Sequence, residues 1–286
     1  MSESIKIISK KAIASDDIFD ALEEGGENLC IVSDEFPRLY FGTFDKALRG
    51  VEVFKDERGY EIRACSFSSF DDYRLFRTTI DVIRKLTRGK VEYDGEIIKG
   101  FDSYETFSDN WIDQQVECGV DVVRVMCLND KSPITMYGLF APFCFGKRMM
   151  DYFGLNDGHK PDVEETYKIL KYFREMQWRL ENMKSTKSNL MLKGEDGENY
   201  KDISLISIKN NKVSDFDYIS FAQMVSLCDL DNDDIALIEF AKFIDIVPKE
   251  KVEFLDDCQM LVKIKFTAED VRQMITNANE TQSSRK

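Results

Sequence analysis

Acid–base or nucleophilic chemistry in this chain has one imidazole to work with. His159 stands in Asp157-Gly-His-Lys-Pro161. A single histidine excludes a two-histidine metal site and a two-histidine acid–base pair. It leaves a cysteine–histidine dyad. The best cysteine for that role is Cys144, in Pro142-Phe-Cys-Phe-Gly146, because Lys147 and Arg148 would supply the positive field a thiolate needs. The competing reading makes Cys144, set between two phenylalanines, a core thiol, and His159 a surface side chain. An enzyme of unknown reaction, if this is one, is expected to carry its site in residues 138–161.

Other chemistries fail on spacing. Ala141-Pro-Phe-Cys-Phe-Gly-Lys-Arg148 echoes a phosphate loop but has Ala where the first Gly belongs and Arg where a hydroxyl belongs. Asp229, Asp231 and Asp233 match the first three ligands of a calcium loop. Asp234 then occupies the obligatory Gly position and Phe240 the bidentate Glu position. These acids are expected instead to cap a helix. No Asp or Glu is followed two positions later by Lys, which removes the common nuclease pattern, and no G-x-S-x-G elbow presents a serine. None of the seven cysteines forms a C-x-x-C pair, so neither a metal nor another cofactor is expected.

The acids themselves are patterned. Between Lys99 and Arg124 there is no base, and Asp102, Glu105, Asp109, Asp113 and Glu117 recur every three or four residues. On one helix they would share an arc of roughly 120°. Like charges at that spacing cost roughly 0.2–0.5 kcal/mol per pair, so solvent, a cation or a basic partner has to offset them. A second base-free stretch, from Lys212 to Lys242, carries Asp215, Asp217, Asp229, Asp231, Asp233, Asp234 and Glu239. Together the two stretches would make a negative docking surface, with Trp111, Tyr104 and Tyr218 as aromatic anchors. The plainer alternative is a solvated face with its aromatics turned inward.

The elements that position these residues alternate in type. Ile5–Ile8, Leu29–Val32 and Arg38–Phe41 read as strands, and Ser15 starts a helix that stops at Gly25-Gly26. Val51–Phe54 and Tyr60–Cys65 form a hairpin, and Asp94-Gly95 turns a smaller one. Ser68-Ser69 opens a helix that buries Tyr73, Phe76, Ile80 and Ile83. The acidic helix follows and stops at Gly119, and Val120–Cys127, apolar on both sides, reads as a central strand. Asp162 to Met183 is expected as a helix with Val163, Tyr167, Leu170, Phe173 and Leu180 inward. A hairpin at Gly194–Gly197 leads to a strand at Ile203–Ile208. A helix is placed at about 232–245, a strand at Met260–Phe266, and a helix from Ala268 capped by Thr267 and Asp270. This is an α+β pattern, antiparallel sheets with interspersed amphipathic helices, as one large or two packed domains. The expected division is 1–135 and 136–276, with 277–286 a frayed polar tail.

A formal net charge of −14 argues against nucleic acid and anionic membrane surfaces as partners. The N-terminus lacks the regions of a signal peptide, no apolar run reaches membrane-spanning length, and odd, unpaired cysteines suit a reducing cytoplasm. Arg49-Gly-Val-Glu-Val-Phe, Gly-Tyr-Glu-Ile-Arg-Ala, Asp72-Tyr and Gly138-Leu-Phe-Ala-Pro-Phe-Cys-Phe-Gly146 resemble an uncharacterised family of Gram-positive bacterial cytoplasmic proteins, over about half the chain. The resemblance implies no activity. The expectation is therefore a non-enzymatic, acidic, cytoplasmic protein that binds a basic protein partner, as an inhibitor or immunity protein would. An enzyme with its site in 138–161 and a structural domain are the alternatives.

Overall fold

A computed structural model of the chain describes residues 2–130, 133–156, 158–184, 187–193, 200–210, 216–220 and 222–283. Its contacts divide it into two compact units, Met1–Ala141 with Met149–Glu181, and Pro142–Arg148 with Asn182–Lys286. Helices and largely antiparallel sheets alternate in an α+β arrangement.

The first unit is built on a seven-stranded antiparallel sheet. Its strands are β1 (Glu3–Ile8), β2 (Leu29–Ser33), β3 (Arg38–Thr43), β4 (Val51–Lys55), β5 (Gly59–Ala64), β6 (Lys90–Tyr93) and β7 (Glu96–Ile97), in the order β2-β3-β4-β5-β1-β6-β7. Alternation sets the register: Val51 and Val53 of β4 and Ile62 and Ala64 of β5 point to the same buried face. Helix α1 (Ser15–Glu24) buries Ile18, Phe19 and Leu22. Helix α2 (Phe70–Thr87) lies across the sheet on Tyr73, Leu75, Phe76, Ile80 and Ile83, as its period requires. Ser69 caps α2, its Oγ accepting from Asp72 N–H at 3.1 Å while the Asp72 carboxylate accepts from Ser69 N–H at 2.8 Å.

After the sheet the structure departs from the sequence expectation. The acidic helix is two helices, α3 (Ser103–Thr106) and α4 (Asp109–Asp130), broken at Phe107. Phe107 is fully buried among Phe76, Tyr93, Phe101 and Trp111, with ring centroids 4.7–6.2 Å away. That burial turns the chain, and Ser108 restarts the helix by accepting from Trp111 N–H. Val120–Cys127 is not a strand but the C-terminal half of α4, with Val120, Val123 and Cys127 buried and Val122, Val125 and Met126 exposed. The apolar character on both sides reflects a helix with apolar residues all round.

Gly119 does not stop α4. It lies inside the helix and lets the backbone of Phe67 approach so closely that an added Cβ would sit 2.8 Å from Phe67 N. Gly119→Ala gains about 1 kcal/mol of helix propensity but forces the two backbones apart. We expect it to lower stability by about 1–2 kcal/mol net in urea unfolding.

The unit is completed by β8 (Ile134–Tyr137), α6 (Val163–Leu180) and α5 (Lys147–Phe153) from Met149 onward. Asp162 caps α6 in a capping box with Glu165, and Glu164–Lys168 brace its outer face at 2.7 Å. Leu170, Phe173 and Leu180 are inward as expected. Val163 and Tyr167 are not: they are 58% and 49% exposed, and Thr166, Ile169, Met176 and Gln177 take the buried stripe instead.

The second unit holds β9 (Pro142–Phe145), β10 (Lys187–Lys193), β11 (Tyr200–Lys209), β12 (Tyr218–Ile219), β13 (Met224–Asp229), β14 (Asp234–Glu239), α7 (Phe240–Ile246), β15 (Val252–Phe254), β16 (Met260–Val262) and α8 (Ala268–Ser283). One sheet runs β10-β11-β13-β14, with β11 and β13 parallel, and a second runs β12-β16-β15. The Gly194–Gly197 turn lies outside the described residues, while the strands flanking it, β10 and β11, pair antiparallel. Residues 232–245 are not one helix. Asp234–Glu239 pairs with β13 as a hairpin, leaving only the seven residues of α7 helical. Alternating Ala236 and Ile238 inward with Ile235 and Leu237 outward satisfies a strand, and Asp233, at φ 53°, makes the turn. The expected strand Met260–Phe266 ends at Val262. Thr267 and Asp270 cap α8 as expected.

Candidate functional site

The five carboxylates of the first acidic stretch do not form one free stripe. Asp102 caps α3, accepting from Tyr104 N–H and Glu105 N–H at 2.8 and 3.1 Å. Asp109 is paired with Arg77 of α2 at 2.9 Å, and the same guanidinium lies 4.6 Å over the Tyr104 ring. Lys160 Nζ stands 3.9 Å from Glu117. Glu105 and Asp113 are exposed and make no ion pair among the described residues. Trp111 is half-buried, its indole edge-on to Tyr73 and Phe107. The cations absent from the local sequence come from other elements.

The second stretch is tied down in the same way. Asp229 is buried and accepts from Asn210, Asn232 and, at 2.9 Å, Arg272 of α8. Burial raises its carboxyl, but the hydrogen bonds from Asn232, Arg272 and the Asp231 N–H outweigh it and hold the group below the usual carboxylate range. Asp231 meets the same guanidinium at 2.9 Å, and Asp233 occupies the exposed turn. So Asp229–Asp233 cap no helix; they knot a hairpin to α8. Asp215 lies outside the described residues. Tyr218 is buried rather than presented to a partner.

Cys144 sits in the core of the second unit with no exposed surface. Its thiol hydrogen-bonds that of Cys258, and this bond together with burial pushes the Cys258 thiol far up. A substrate cannot reach a thiol so placed. His159 is an exposed side chain of the first unit whose Nε2 lies 3.1 Å from Glu165 Oε1. All seven cysteines are free thiols. Among the described residues no group of three or more His, Cys, Asp or Glu side chains could hold a metal ion, and no helix is long and apolar enough to cross a membrane.

Two features went unnoticed in the sequence. The first is a groove of about 390 Å³ where α2, α4 and α6 meet. Helix α6 contributes Tyr167, Leu170, Lys171 and Arg174, an i, i+3, i+4, i+7 stripe. From α2 come Phe70, Asp71 and Arg74, and from α4 comes Asp113. The signal was available: the expected inward position of Tyr167 shares that stripe with two cations, an odd neighbourhood for a core residue. Arg74 lies 3.8 Å from Asp71 and Lys171 3.9 Å from Glu175, whereas Arg174 and Asp113 have no ion-pair partner among the described residues.

A family model described as a domain of unknown function (DUF4299) matches residues 3–178. The chain belongs to that family. No curated protein and no solved structure matches it. The DUF4299 region takes in the whole seven-stranded sheet and every residue of the groove.

The second unnoticed feature, also inside the DUF4299 region, is the acidity of α1 and its flanks. From Ala12 to Pro37 there is no base, and Asp16, Asp17, Asp20, Glu23, Glu24, Glu27, Asp34 and Glu35 fall in that gap. Among the described residues none of these eight acids makes an ion pair. The base-free test that found the other two stretches would have found this one. Beside it β2 is an edge strand with Ile31 and Val32 exposed, and Glu27 is joined to β3 through Thr43 Oγ1 at 3.3 Å.

Proposed function

We propose that this is a non-enzymatic, acidic protein of the bacterial cytoplasm that binds a basic protein partner, in the manner of an inhibitor or immunity protein, and that the partner docks on α1 and the adjoining β2 edge. The supporting observation is the placement of Glu23 and Glu24. They stand at the C-terminal turn of α1, which carries no basic residue, so they face the negative end of the helix dipole. Acids there cost roughly 0.3–1 kcal/mol each and nothing in the fold requires them. Unlike Asp109 and Asp229, they keep their charge uncompensated. A cationic partner would relieve both the dipole and the mutual repulsion, and the exposed Ile31 and Val32 would give it apolar contact. Free thiols throughout and the absence of an accessible nucleophile at Cys144 agree with this reading.

The test is a pull-down with the intact chain at about 0.05 and 0.5 M salt, followed by affinity measurement on the recovered partner. Asp20→Lys/Glu23→Lys/Glu24→Lys is expected to weaken binding at least about tenfold, mostly through a slower on-rate. A partner held equally at both salt concentrations, or indifferent to the triple substitution, would remove the proposal.

A further inference from the structure

The groove between α2, α4 and α6 presents charge that the fold leaves unused. Arg174 is half-buried and Asp113 exposed; both line the groove, and they are too far apart to pair with each other. In a chain with 53 acids and 39 bases, a half-buried guanidinium without a counter-ion is unexpected, since any nearby carboxylate would gain by approaching it. Lys171, one turn before Arg174 on the same face, adds a second cation. The rest of the lining is the apolar Phe70, Leu170 and half-exposed ring of Tyr167, with Ser69 and the mutually paired Asp71 and Arg74. The volume, about 390 Å³, is in the range of small-molecule sites.

We propose that this groove binds a small zwitterion with an apolar body, an α-amino acid or a molecule with the same amino-carboxylate head. The carboxylate lies on Arg174 and Lys171, the ammonium on Asp113, and the body against Tyr167, Phe70 and Leu170. Opposite unpaired charges in one groove select a ligand carrying both; a simple anion would leave Asp113 facing it with the wrong sign. The site is independent of partner docking on α1, so either proposal stands if the other fails.

The experiment is calorimetric titration of the intact chain with phenylalanine and leucine, and with two truncated probes, 3-phenylpropionate and phenethylamine. Phenylalanine or leucine is expected to bind, with each truncated probe at least about tenfold weaker, as loss of one charged hydrogen bond implies. Arg174→Ala is expected to weaken phenylalanine about tenfold or more, and Asp113→Asn to erase its advantage over 3-phenylpropionate. Both side chains lie on the groove surface and leave the buried stripes untouched; circular dichroism confirms that each variant is folded. No binding of either amino acid at about 10 mM, 3-phenylpropionate binding as tightly as phenylalanine, or unchanged affinity in the folded Arg174→Ala protein would each overturn the proposal.

Discussion

Asp72→Ala is expected to lower the stability of the first unit by about 4 kcal/mol, enough to unfold it at modest urea concentrations. Asp72 is buried and its two oxygens accept from four backbone N–H groups: Leu48, Arg49, Gly50 and Ser69, at 2.8–3.3 Å. Those bonds fix the loop between β3 and β4 to the start of α2. The loop can wrap a carboxylate so closely because Gly50 adopts φ +66°, where a Cβ would lie 2.4 Å from Phe41 O. Burial pushes the carboxyl of Asp72 up while the N–H donors oppose that shift. Removing the side chain leaves four donors in an apolar setting, each costing roughly 1–3 kcal/mol if unsatisfied, offset in part by relaxation and water entry. Asp72→Asn keeps one carbonyl oxygen and should lose about half as much. Urea unfolding followed by circular dichroism reads both; a loss under about 1 kcal/mol for the alanine variant would show that the loop is held by other contacts.

The second unit is expected to lose stability as pH rises from about 4 to 7, the reverse of an ordinary paired carboxylate. Asp256 is fully buried and accepts from Cys144 N–H at 2.8 Å and Cys258 N–H at 2.7 Å, with Gln259 N–H a third donor. Burial outweighs those donors and pushes its carboxyl up to about 7, from 3.8. The folded state therefore keeps a proton that the unfolded chain releases near pH 4. Stability from this group is complete below that point and is lost as pH rises through about 7, on the order of 4 kcal/mol in all. Asp256→Asn, which is neutral throughout, should flatten the slope of urea stability against pH. An unchanged slope would mean that the folded carboxyl ionises normally.

What the sequence determined by itself was local. The helix start at Ser68-Ser69 with its buried Tyr73, Phe76, Ile80 and Ile83, Thr267 before Asp270 and the Val51–Ala64 hairpin are decided by neighbours a few residues away, and they stand in the structure as expected. Tertiary structure decided the rest, because there a distant residue outweighs a local preference. Val120–Cys127 has β-branched, strand-like composition, yet Gly119 lets it continue α4 against the Phe67 backbone. Phe107 splits an acidic helix because four other aromatic rings enclose it. Asp229 to Asp233 look like a helix cap, but Arg272, some forty residues on, makes them a charged knot on a hairpin. Charge was the least legible property. A base-free stretch of sequence is no base-free surface, since Arg77 reaches Asp109 and Lys160 reaches Glu117 from other elements. At α1 and in the α2–α4–α6 groove the fold leaves charges without an ion-pair partner among the described residues, because counter-ions are supplied by packing, which no linear spacing records.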